Sequence, residues 1–332
     1  MKVPNRIGRY YVENELGNGS FGTVYKAFDP RTKRVVAIKV LRESLHEFRD
    51  RDEIEEDHTR FKTEWEAVGK LRHPNIVIVH DVGEYEGGPF MVMEYVPGED
   101  LKRVFKKGKR LPIRKSLRIM DQLLAALEHS HKNDVVHRDI KPSNIILSSN
   151  ENLTNEHITV IDFGIARLPE STLTKDGRAP GTPAYMSPEQ LNSRRDLDGR
   201  TDIFSAGVIF YELLTGAHPF GPVADDGYVH RVLNDVPTPP SKKAGAVPSA
   251  FDSVSLKALA RDRKDRYATA GEFAQALRTL APAHDCADFE GEESDDHEIP
   301  SPQRAWPQSV DVYICIGIIF LIIGYCMAYW MI

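Results

Sequence analysis

The run Gly17-Asn18-Gly19-Ser20-Phe21-Gly22-Thr23-Val24, taken with the residues just downstream of it, constrains the fold of this chain more than any other feature. Glycine lets a backbone come close to phosphate, and a G-x-G-x-x-G string often opens a dinucleotide-binding unit. In such a unit a helix comes at once and an acid appears about 20 residues on. Here a second β-rich run comes instead, and 17 residues after Gly22 stands Lys39, inside Val36-Ala37-Ile38-Lys39. The glycine turn therefore reads as a hairpin flap over a triphosphate and not as a dinucleotide cradle. Three antiparallel strands are predicted: Tyr10 to Leu16, Gly22 to Phe28 and Val35 to Leu41, with Asp29-Pro30-Arg31 turning between the last two.

Residues 43–60 are dense in alternating charge, and Phe61, Trp65, Val68 and Leu71 then recur at helical spacing, which predicts a solvated lead-in to one amphipathic helix. Two more strands fit Ile76 to Val82 and Pro89 to Tyr95. Pro97 and Gly98 break that pattern before mostly helical sequence begins. A β-rich small lobe thus precedes an α-rich large one, and 332 residues suit two lobes at roughly 100 to 200 residues per domain.

Charge is divided unevenly along the chain. Residues 281–332 hold nine acidic residues against Arg304 alone, so the net charge of −6 leaves 42 basic and 40 acidic residues in the body. A body so near neutrality lacks the basic excess that nonspecific nucleic-acid binding requires, and no nucleic-acid partner is expected. Cys286, Cys315 and Cys326 all lie beyond residue 280, so neither a disulfide nor a cysteine metal framework is available to the body. Met1 to Tyr11 carries no apolar run and no cleavage pattern, and a cytoplasmic body is the expectation.

The globular pattern ends near Leu280, where acidic residues, Ser and Pro form a linker. Val312 to Ile332 then runs 21 residues without a charge, enough to cross ~30 Å of hydrocarbon as a helix. A buried core helix is the plainer alternative, but such helices rarely run this far without one charged position. Gly317, Gly324 and Ala328 share one face of that helix, a small-residue surface that would suit a homodimer.

The chemistry concentrates in two further stretches. His137-Arg138-Asp139-Ile140-Lys141-Pro142-Ser143-Asn144 comes after Val135-Val136, and Val160-Ile161 leads into Asp162-Phe163-Gly164. Phosphoryl transfer asks for aligned reactants and neutralised charge more than for covalent help from protein. Asp139 near an incoming hydroxyl, Lys141 near the γ-phosphate, and Asn144 with Asp162 on a metal meet that need. Their hard oxygens suit Mg²⁺, with Mn²⁺ as an alternative ion. Glu64, one turn before Val68, would pair with Lys39 and hold it on the α- and β-phosphates. Asp-Phe-Gly alone is common by chance; the ordered set is not.

The set resembles the eukaryotic-type, or Hanks-type, Ser/Thr protein kinases, and within them the bacterial membrane-anchored branch. The resemblance covers roughly Tyr10 to Leu280. It implies an α+β, bilobal protein-kinase fold over residues 10–280, an acidic linker over 281–311, and a C-terminal transmembrane helix over 312–332. It also implies ATP in the cleft beneath Gly17, Gly19 and Gly22, with adenine between Leu16, Val24 and Ala37 above and Ile146 below. Met93 resembles the gatekeeper, Glu94 and Val96 the hinge contacts, and Asp100 a ribose contact. Asp202 resembles the aspartate that braces the catalytic loop, and Glu189 would pair with Arg266. Ser187-Pro188-Glu189 departs mildly from the usual Ala-Pro-Glu.

Lys141 two residues after Asp139, together with Gly181-Thr182-Pro183-Ala184-Tyr185, is similar to the serine/threonine pattern, and Thr182 is counted with the catalytic set. Protein serines and threonines are the expected acceptors. Ser171, Thr172 and Thr174 are candidate phosphosites, since Arg138 beside Asp139 and Arg167 nearby would receive a phosphate there. The implied location is the inner cell membrane, single-pass, with the catalytic body in the cytoplasm. By family analogy, phosphothreonine-binding proteins and a metal-dependent phosphatase are expected partners. The rival readings are a membrane-bound pseudokinase scaffold, which loss of Lys39, Asp139, Asn144 or Asp162 would have favoured, and a small-molecule kinase, which the Gly181–Glu189 segment disfavours.

Overall fold

The computed structural model describes residues 3–19, 22–41, 65–85, 88–106, 110–148, 156–163, 183–194 and 196–284. One compact unit spans Met1–Glu290; the second, Gly291–Ile332, lies outside the described residues, as do the charged run 43–60 and the predicted membrane span. Among the described residues no helix is long and apolar enough to cross a membrane.

The predicted strands form. β1 (Arg6–Ile7), β2 (Tyr10–Gly19), β3 (Gly22–Asp29), β4 (Arg34–Leu41), β5 (Val79–Tyr85) and β6 (Gly88–Glu94) make one sheet in the order β1-β2-β3-β4-β6-β5. Its named pairings are antiparallel. Side chains alternate across a strand, and β4 shows the result. Val36 and Ile38 join Tyr10, Phe90 and Val92 in a small outer cluster, while Ala37 and Leu41 join Met91 and Met93 in the main core. The face that carries Ala37 also carries Lys39.

One predicted strand starts later than expected. Ile76 forms a parallel bridge to Val160, with Val77 N–H on the Val160 carbonyl (3.0 Å) and Val160 N–H on the Asn75 carbonyl (2.8 Å). These backbone groups are taken by a second sheet before β5 begins at Val79. That sheet, β7 (Glu99–Asp100), β8 (Ile145–Ser148) and β9 (His157–Val160), falls in sequence that reads as mostly helical.

Of the predicted amphipathic helix, residues 65–70 are described and form α1, and Trp65, Val68 and Leu71 enter the main core. α2 (Leu101–Lys106) leads to α3 (Ile113–Lys132), which buries Ile119, Met120, Leu123, Leu124 and Leu127 on one stripe. α4 (Pro188–Leu191) precedes α5 (Arg200–Thr215), which is buried from Thr201 through Tyr211 and ends at Gly216 in the left-handed conformation (φ 70°). Around this central rod lie α6 (Tyr228–Asn234), α7 (Pro240–Lys243), α8 (Ala250–Ala258) and α9 (Ala270–His284). A helix buried on all sides must be wrapped by the rest of the lobe.

Candidate active site

The loop between α3 and β8 carries the predicted catalytic residues, and α5 holds it in place. Asp202, fully buried in the first turn of α5, accepts hydrogen bonds from His137 N–H and Arg138 N–H, both at 2.8 Å, and meets His131 Nε2 at 2.8 Å. Burial alone would raise this carboxyl. The hydrogen bond from His131, the charges of His131 and His137 and the loop amide outweigh it and hold Asp202 below the usual carboxylate range. Arg138 takes a left-handed backbone (φ 63°), which a non-glycine residue adopts only where surrounding contacts impose it. His137 is buried, and desolvation pushes its pKa down despite the nearby carboxylates of Asp202, Asp139 and Asp162.

Asp139 is 8% exposed, and its carboxylate lies between two donors. Lys141 Nζ is 2.7 Å from Oδ2, and Asn144 Nδ2 donates to Oδ2 at 3.2 Å and to the Asp139 carbonyl at 2.9 Å. With its amino end committed to Asp139, the Asn144 amide keeps its oxygen for another partner. The Asn144 carbonyl accepts Ile161 N–H at 2.8 Å, which fastens the loop to the segment carrying Asp162. The rings of His137 and Phe163 lie 4.5 Å apart behind it.

Asp162 also has a left-handed backbone (φ 59°), and its carboxylate pairs with Lys39 Nζ. Burial would raise Asp162, but the Lys39 charge and hydrogen bond, with Lys141 and His137 beyond, hold it ionised. Lys39 stands opposite Val24 on β3 and Met91 on β6. Its predicted partner Glu64 lies outside the described residues, and the pairing seen for Lys39 is with Asp162.

The other nucleotide-site candidates divide by environment. Val24, Ala37, Met93 and Val96 belong to or pack on the main core, with Lys26↔Ala37↔Met93 in register, whereas Leu16 is exposed. Ile146 on β8 pairs with Asp100. The Asp100 carboxylate accepts Arg103 N–H at 2.8 Å, so it caps α2 as well as standing beside the cleft strands. The glycines differ too. A Cβ on Gly22 would come 2.2 Å from the Val40 carbonyl oxygen, so hairpin packing alone demands glycine there. A Cβ on Gly17 would meet nothing within 4 Å. Protein packing gives no reason for Gly17; a phosphate approaching the backbone does.

The Asn144 amide oxygen and the Asp162 carboxylate are hard oxygen donors that would suit a divalent ion such as Mg²⁺, with Lys39 and Lys141 close by to meet further phosphate charge. Among the described residues no group of three or more His, Cys, Asp or Glu could hold a metal by itself, so an ion at Asn144 and Asp162 would draw on phosphate oxygens to fill its shell.

Glu189 and Arg266 meet as predicted, in a two-pronged pair with both N–O distances 2.8 Å, Arg266 being wholly buried. Ser187 receives a physical role: it is the N-cap of α4, in a capping box with Gln190. Residues missed from the sequence are His131, Gln190 (Nε2 on the Arg138 carbonyl, 2.8 Å) and Glu212, which accepts the Tyr185 hydroxyl at 2.8 Å. His131 sits at the end of α3 and its partner is 71 residues away, so no local pattern could have found it. Gly164, Ser171, Thr172, Thr174 and Thr182 lie outside the described residues.

Comparison with known proteins identifies the family. The family model described as protein kinase domain matches residues 10–278. A probable serine/threonine-protein kinase PknB of Bifidobacterium longum is 38% identical over 284 residues, covering 82% of this chain and 39% of the relative. The serine/threonine-protein kinase pkn3 of Myxococcus xanthus is 36% identical over 282 residues, covering 82% and 50%. PknB of Mycobacterium leprae is 38% identical over 276 residues, covering 81% and 42%. The chain thus spans half the length of these relatives or less. A family model that matches residues 10–278, most of the chain, leads to one conclusion: the chain belongs to the protein kinase domain family.

Proposed function

We propose that this chain transfers the γ-phosphate of ATP to serine and threonine hydroxyls of proteins. Family membership implies ATP and a divalent metal; Mg²⁺ is the ion we assign, with Mn²⁺ as an alternative. When bound, these supply the phosphoryl group and much of the neutralising charge. The observation that carries the reading is the Asp139 carboxylate, buried and fixed by Lys141 and Asn144 on a loop bonded to Asp202.

Asp139 orients the acceptor hydroxyl and takes its proton as the hydroxyl oxygen bonds to the γ-phosphorus and the bond from that phosphorus to the bridging oxygen of ADP breaks, ADP leaving. Lys141 neutralises charge on the transferring group, and Asn144 and Asp162 hold the metal. Lys39, released from Asp162, would bind the α- and β-phosphates, with Glu64 as its steadying partner. Leu16, Val24, Ala37, Met93 and Ile146 would enclose the adenine, with Glu94 and Val96 bonding its edge and Asp100 near the ribose. The pseudokinase reading has no support, since Lys39, Asp139, Asn144 and Asp162 are all present. Autophosphorylation of Thr172 or Thr174, with Ser171 beside them and Arg138 as receiver, is part of the same proposal.

The kinase domain is assigned to residues 10–280, joined by the linker 281–311 to a single membrane span at 312–332, with the catalytic body cytoplasmic. The uncharged 21-residue run supports the anchor, and its small-residue face supports dimerisation. Truncation after Ser309 should yield an active protein that stays in the supernatant when membranes are pelleted; cosedimentation would remove the anchor. The central test is labelled phosphate transfer by wild type and Asp139→Asn. Turnover is expected to fall by about 10²–10⁴-fold with ATP affinity largely kept, since proton acceptance acts on the transition state. Retained turnover refutes the assignment.

A further inference from the structure

On the large lobe, a cavity of about 680 Å³ opens between the end of α4, the end of α6 and the turn linking α8 to α9. Its charged lining is Glu189, Arg194, Arg261, Asp262, Arg263 and Lys264. Two of these are already balanced: Glu189 by Arg266 behind the wall, and Arg263 by Asp196 and by Asp198 at 3.6 Å. Arg194, Arg261 and Lys264 remain, all exposed, against the single carboxylate of Asp262. Arg261 gives one N–H to the Leu233 carbonyl at 3.2 Å and keeps the rest of its fork. A body with 42 basic and 40 acidic residues therefore concentrates a local excess of two positive charges at one concave mouth.

From this geometry we infer that the cavity docks an acidic peptide segment of a protein substrate, an inference that rests on the kinase reading. Exposed cations bind a single anion weakly, because solvent screens the pair and the long side chains lose freedom in making it. A ligand carrying several carboxylates adds these contacts together along its length. Leu233 and Pro188 give the cavity an apolar wall for one side chain among the acids. Location favours a substrate over another partner. α4 continues directly from residues 183–187, and Gln190 on α4 donates to the carbonyl of Arg138, the neighbour of Asp139.

The test is fluorescence anisotropy of a labelled octapeptide of Glu and Asp around one Leu, titrated with the full chain at low salt. Arg194→Ala/Arg261→Ala/Lys264→Ala should weaken binding by about tenfold or more, while Arg194→Lys/Arg261→Lys keeps it because point charge suffices at exposed sites. The Ala variant should also raise KM for a substrate bearing the acidic stretch and leave kcat, and all constants for a short substrate without it, unchanged. If the triple Ala variant fails to fold, the single exposed substitution Arg261→Gln carries the test: weakened peptide binding supports the dock, and binding equal to wild type overturns it. No binding by wild type, unchanged binding by a folded Ala variant, or displacement of the peptide by equimolar inorganic phosphate overturns the inference. Absence of phosphotransfer to every substrate with peptide binding intact would refute the kinase reading and leave the dock standing.

Discussion

Two carboxylates on the same helix meet opposite fates. Asp202, in the first turn of α5, collects two backbone N–H groups and a histidine, and its charge is held below the ordinary carboxylate range. Glu212, near the other end, is largely buried with one donor, the Tyr185 hydroxyl, and burial pushes its pKa up to about 7. Desolvation acts on both; the number of donors decides which one keeps its charge. The first anchors the catalytic loop, whereas the second sits under residues 183–187 in a pocket shared with His218 and Tyr228, both bonded to the Ala184 carbonyl.

The largest effect should come from removing the better-satisfied charge. Asp202→Asn exchanges an acceptor of three hydrogen bonds for an amide that cannot accept them all, and should cost about 3 kcal/mol of stability. Phosphotransfer should fall by about 100-fold or more as the Asp139 loop loosens. Denaturant melts and single-turnover kinetics check both; a variant as stable and active as wild type would equate the two carboxylates. The Asp202 contribution is present above its unfolded pKa and disappears as acidification passes through the lowered folded value.

Glu212→Gln should behave in the reverse sense. The folded pKa is raised, so between about pH 4.5 and 7 the folded chain binds the extra proton and stability declines as pH rises. At pH 8 the Gln variant should exceed wild type by up to roughly 3 kcal/mol. His218, whose pKa burial lowers to about 4, has the opposite slope: its stability is present above about pH 6.5 and lost as pH falls toward 4. The two slopes oppose each other from about pH 4.5 to 6.5, and Glu212→Gln should expose the histidine slope. Stability measured across that range in both proteins decides it, parallel profiles excluding a raised Glu212.

The smallest structural effect separates Gly17 and Gly22, two of the three glycines of the flap. Gly17→Ala should leave the melting temperature within about a degree or two and raise KM for ATP, while Gly22→Ala should lower stability by about 1 kcal/mol or more through collision with Val40. Equal melting temperatures for the two variants would remove the distinction between a packing glycine and a ligand glycine.

Much of this was legible in the chain itself, for physical reasons. The strands of the small lobe announced themselves as short β-rich runs broken by glycines and by the turn Asp29-Pro30-Arg31. Asp139, Lys141 and Asn144 are grouped by short spacings within one loop, and Asp162 is marked by its place at the end of the apolar run Val160-Ile161. The second sheet escaped because its strands are two to four residues long, too short to show a period, and because β5 yields its first residues to Val160. Gln190, Glu212 and His131 escaped because polar residues on helices carry no signal until a distant partner is known.

Sequence alone thus determined the family, the order of its chemical groups and the uncharged tail, since each is written in residues that are neighbours along the chain. Only the tertiary structure decided which buried charges stay charged, that Lys39 faces Asp162, and where basic residues from separate turns gather into one cavity. Those outcomes depend on desolvation and on partners tens of residues apart, which the fold brings together and local sequence cannot express.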